Sequence, residues 1–102
     1  MSDISESFRL KASEWVQADA AASILEECKT STLSQMMVSL GDMPVSRAKM
    51  KVSASPEWKT YIEKMVEARK SANLLKVHME VLRMRFSEQQ SQEATARAER
   101  RL

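Results

Sequence analysis

The sequence has 102 residues, a formal net charge of +2, one glycine, two prolines, one cysteine, one histidine and eight methionines. A chain of this size makes one domain with a thin core, and this composition suits long helices while starving sheets of turn residues, so the fold class expected is all-α. It argues against a glycine-rich phosphate loop, an internal disulfide and, lacking an apolar run of about 18 residues or a signal peptide, a membrane route; the cytoplasm is the expected compartment.

A first helix over about residues 4–40 is signalled by Asp3-Ile4-Ser5-Glu6, an acidic cap with glutamate three positions on. Ile4, Phe8, Trp15, Ala18, Ala22, Leu25 and then Leu33, Met36, Met37 and Leu40 recur at helical spacings on one stripe. The polar run Lys29-Thr30-Ser31-Thr32 interrupts it with poor helix formers, leaving either two helices broken near 29–32 or one helix with a weak middle. Gly41 supplies a stop.

Residues 41–55 carry a glycine, a proline and Arg47, Lys49 and Lys51 without a sustained period, which predicts a loop, with or without a short helical turn. Ser55 as N-cap, Pro56 at the first helical position and Glu57 at the positive end of the dipole then open a long helix, expected over about 56–95. No glycine or proline follows, and from Ser87 to Leu102 the large apolar residues thin out, predicting a tail that frays or stands alone in solvent.

Within this helix Trp58, Tyr61, Met65, Ala68, Ala72, Leu75, Met79, Leu82 and Phe86 alternate by three and four without a miss. Such a seam wants a helix packed along it, and the first helix is the obvious candidate, giving a long helical hairpin. A second stripe of Val66, Leu74, Val77, Val81 and Met84 lies on the far side, roughly opposite Met79. Two long helices can cover only one of these sides, so the second stripe is the expected partner-binding surface. A homodimer completing a helical bundle, or a groove on an unlike protein, would cover it.

Charge is unevenly placed: residues 1–42 hold three basic and seven acidic residues, and residues 43–102 hold thirteen and seven. The basic set Lys64, Arg69, Lys76, Arg83 and Arg85, with His78, reads as a solvated flank whose stems cover the seam and pair with Glu14, Asp19, Glu26 and Glu27. Together with Arg47, Lys49 and Lys51 it reads alternatively as a surface for an acidic partner or nucleic acid. Trp58, Tyr61 and Phe86 belong to the seam, which argues against stacking on exposed bases.

Catalysis is not expected. His78 has no carboxylate placed to orient it, since Glu80 projects elsewhere on the helix, and Cys28 lacks any zinc-ligand spacing. No cofactor or metal is expected either.

The segment Ser55-Pro56-Glu57-Trp58-Lys59-Thr60-Tyr61-Ile62-Glu63-Lys64-Met65-Val66-Glu67-Ala68-Arg69-Lys70, continuing through Leu74-Leu75-Lys76-Val77 to Leu82-Arg83-Met84-Arg85-Phe86-Ser87-Glu88, resembles small helical proteins of temperate phages and prophages. Those are often encoded near genes for phage single-strand annealing recombination. The resemblance spans residues 52–101, about half the chain. It implies a phage setting, with a host or phage protein of DNA recombination, a nuclease or a defence complex as the partner. A DNA-binding accessory of phage recombination is the alternative, and an open-ended virion or scaffold component a third possibility.

Overall fold

A computed structural model describes residues 3–101. They form four helices: α1 (Asp3–Glu27), α2 (Lys29–Ser39), α3 (Val45–Ser53) and α4 (Pro56–Arg101). No strand occurs among the described residues. The shape is a rod of 83 × 16 × 16 Å with a radius of gyration of 23.1 Å, against about 13 Å for a compact chain of this length.

α1 lies along α4 in the opposite direction. The Tyr61 hydroxyl donates to the Leu25 carbonyl, and Arg69, two turns further along α4, reaches back to Asp19, Ser23 and Glu26 on α1. Near the other end Phe8 and Phe86 line one apolar recess. The α4 seam is half-buried or buried from Trp58 to Leu82, and α1 answers with its own three-four alternation of Ile4, Phe8, Lys11, Trp15, Ala18, Ala22 and Leu25, with Ala12 half-buried beside it. Lys11 was not expected there; it lies half-buried along the seam with its ammonium 3.2 Å from Glu14. Ala22 and Ala72 are both fully buried on the seam, where small side chains let two helices approach closely. Among the described residues the buried set is otherwise only Ala48 and Val52, so the core is thin.

The first helix breaks at Cys28, one residue before the polar cluster that suggested a break. The break is shallow, since Cys28 N–H still reaches Ile24 at 2.9 Å and Thr32 N–H reaches Cys28 at 2.8 Å. Asp3 lies inside the first turn of α1 with Glu6, where both carboxylates favour the positive end of the helix, and is not its cap. Gly41 ends α2 as expected: helical Leu40 brings the Gly41 N–H to the Val38 carbonyl at 3.1 Å, and Gly41 itself, at φ 90°, adopts the left-handed conformation that turns the chain off the helix.

Two expectations are corrected. Most of the predicted loop 41–55 is helix, because Val45–Ser53 contains no breaker and Ala48 and Val52, four apart, bury together. The long helix runs to Arg101 and does not stop near 95 or fray within the described residues; Ala94, Ala96, Arg97, Ala98, Glu99 and Arg100 are strong helix formers. Leu102, the end of the predicted tail, lies outside the described residues. Its start is as predicted, with Ser55 Oγ accepting the Trp58 N–H at 3.2 Å and Pro56 at the first helical position. Residues 45–101 would span about 86 Å as one helix at 1.5 Å per residue. That is close to the 83 Å length of the rod, so α3 and α4 lie nearly end to end.

Candidate interaction surface

The seam and the second stripe of α4 sit about 160° apart at 100° per residue, so covering one leaves the other in solvent. Val66, Leu74, Val77 and Met84 are 56%, 52%, 53% and 57% exposed. Val81, the fifth residue of the stripe, is half-buried. From Leu74 to Met84 the spacing is three, four, three, which repeats the rule of the covered seam on the uncovered side.

Other apolar side chains are also exposed, and the sequence reading missed them. Leu10, Val16 and Ile24 lie on the outer side of α1, and Val38, Val45 and Met50 near the α2–α3 turn. A helical chart of the outer face of α1 would have found the first three. They are spaced by six and eight and make no continuous seam. Phe86, placed in the covered seam by its spacing, is 37% exposed, because α1 runs out beside it. An apolar recess of about 240 Å³ remains there between Ser5, Phe8, Arg83 and Phe86. Beyond it α4 continues alone, every described residue from Ser87 onward exposed except half-buried Gln89.

The candidate basic residues of α3 and α4 divide into Arg69, which is tied down by α1, and others that are open. Arg69 forks onto Glu26 at 2.8 and 2.9 Å and onto Asp19 at 2.6 Å, with Ser23 Oγ at 3.3 Å. Hydrogen bonding to Arg69 holds the Glu26 carboxyl below its ordinary value of 4.5, and the carboxylates of Glu26 and then Asp19 raise the Arg69 guanidinium further. This is the flank pairing expected for Asp19 and Glu26, whereas Glu14 is held by Lys11 on its own helix. Arg47, Lys49, Lys51, Lys64, Lys76, Arg83 and Arg85 are exposed.

A depressed carboxyl adds stability above its unfolded value and loses it as pH falls through the folded one. Thermal stability should therefore fall on acidification below about pH 4.5. Glu26→Gln should lower the neutral-pH melting temperature and flatten that acid limb; an unchanged limb in Glu26→Gln would show that the fork does not contribute.

No group of three or more potential metal ligands gathers among the described residues, and no helix is long and apolar enough to cross a membrane. Cys28 is exposed and makes no disulfide. No family model matches the chain, and comparison with curated proteins and with solved structures finds no match.

Proposed function

We propose that this chain is a non-enzymatic interaction protein, a long helical hairpin whose second stripe of Val66, Leu74, Val77, Val81 and Met84 is covered by another helix when it works. The observation that supports this is the exposure of four of those five residues, each above half, on the side of α4 that α1 does not cover. A second copy covering the stripe would complete the helical core. On the resemblance to phage proteins, the assembled form binds and modulates a host or phage protein of DNA recombination, a nuclease or antiviral defence in the host cytoplasm.

A second reading, a DNA-binding accessory of recombination, is favoured by the exposed Arg47, Lys49 and Lys51 gathered on one short helix. The Arg69 ion pairs weigh against it by withdrawing one cation from the set. One experiment separates the two. In a Cys28→Ser background, Val77→Cys should react slowly with a thiol reagent at high protein concentration and quickly on dilution, with little response to salt. A reaction rate independent of concentration counts against stripe-mediated association. Retention of a labelled oligonucleotide that collapses between about 50 and 200 mM salt would favour DNA.

A further inference from the structure

The alternation of the stripe is symmetric about its midpoint, and the residue types on its two sides also correspond. Val77 and Val81 stand two residues either side of position 79, Leu74 and Met84 five residues either side, and Lys70 and Glu88, the next positions of the same alternation, nine either side. Position 79 is also the middle of α4, which runs from Pro56 to Arg101.

Resting on the interaction reading above, we infer that the occupant of this stripe is a second copy of the chain, its α4 antiparallel to the first, with a two-fold axis at the level of Met79. A two-fold contact must be self-complementary, each residue meeting its mirror position. In this register Leu74 meets Met84 of the second copy, Val77 meets Val81, and exposed Lys70 meets exposed Glu88, twice over. The parallel alternative sets Lys70 against Lys70 and Glu88 against Glu88, a repulsion at both ends of the stripe.

Val66, out of line with the other four, lies at the level of Gln92 of the second copy, on the flank of the contact. The two α4 helices overlap along their full length, so residues 88–101, which extend past the end of α1, lie beside residues 57–70 of the second copy. Near the axis Glu80 approaches its own mate, with Lys76 and Arg83 one turn either side on the same helix to offset the charge, and His78 approaches its mate on the other flank. Because stripe and seam are nearly opposite, the four long helices form a layer in the order α1, α4, α4, α1. Four apolar residues per copy are few against the roughly 1,200–2,000 Å² of a standard interface, so association is expected to depend on concentration.

Cysteine pairing tests the orientation, in a Cys28→Ser background. Mixing Lys70→Cys chains with Glu88→Cys chains under mild oxidation should give a mixed disulfide dimer, while neither variant alone cross-links. Their mirror positions lie side by side, and like positions lie about 27 Å apart at 1.5 Å per residue. In otherwise native chains, Lys70→Glu and Glu88→Lys should each weaken association, on the order of tenfold, and the double variant should restore it. A Lys70→Cys homodimer, no cross-link from the mixture, or a double variant as weak as the singles overturns the inference. If wild-type chains associate and Val77→Glu prevents it, those same results would leave the stripe as the interface and remove only this register. A wild-type chain that never associates would remove both.

Discussion

Ala72→Leu should destabilise the fold by about 1–3 kcal/mol, read as a lower urea midpoint at unchanged slope, and Ala22→Leu should do the same. The two alanines have no exposed surface, and among the described residues only Ala48 and Val52 are otherwise buried, so the α1–α4 seam has no spare room at either position. Larger residues, Trp15 on α1 and Tyr61 and Leu75 on α4, stand at other seam levels. Adding three carbons to an alanine with no exposed surface forces the helices apart or drives side chains off their rotamers, and the loss spreads along the neighbouring seam. Ala20→Leu on α1, at an exposed position, controls for helix propensity and should be nearly neutral. Neutral behaviour of Ala72→Leu would mean that the helices are not in close approach there.

Val77→Glu and Val81→Glu should weaken association by about a hundredfold or more while far-UV helicity is retained. Each places a carboxylate in the centre of the apolar contact, where it loses water without gaining a partner. Neither alters the covered seam, and glutamate is at least as good a helix former as valine, so α4 has no local reason to unfold. Val16→Glu makes the same chemical change on the outer side of α1, where the side chain is 58% exposed, and should leave association unchanged. Equal loss from Val16→Glu would move the interface to α1.

The sequence was most legible where its period was strict. The α4 seam keeps its alternation from Trp58 to Phe86, and the Ser55-Pro56-Glu57 start is a local signal that needs no partner. α3 escaped because its buried face is a single pair, Ala48 and Val52, too short to register as a period among three cations. α4 runs past the expected end near 95 because helix propensity alone carries the tail to Arg101, although it lacks the large apolar residues that mark a helix by period.

The candidate surface was readable as a stripe, since its residues are named by spacing. Its exposure depended on where α1 lies, and no single-helix pattern contains that. The same holds for Arg69: several flanking cations looked alike in sequence, and only the register of α1 on α4 sets Asp19 and Glu26 within reach of this one. That register also leaves Phe86 half-open at the end of α1, which its spacing alone would not suggest.

Sedimentation equilibrium from low to high micromolar concentration, run on the wild-type chain beside the Val77→Glu, Val81→Glu double variant, weighs whether α4 is covered on its far side by its own kind. The average mass of the wild type should climb from 11.6 kDa towards twice that, while the variant stays at one chain with the same helicity. A wild-type chain that remains at 11.6 kDa throughout, fully folded and no different from the variant, would contradict it.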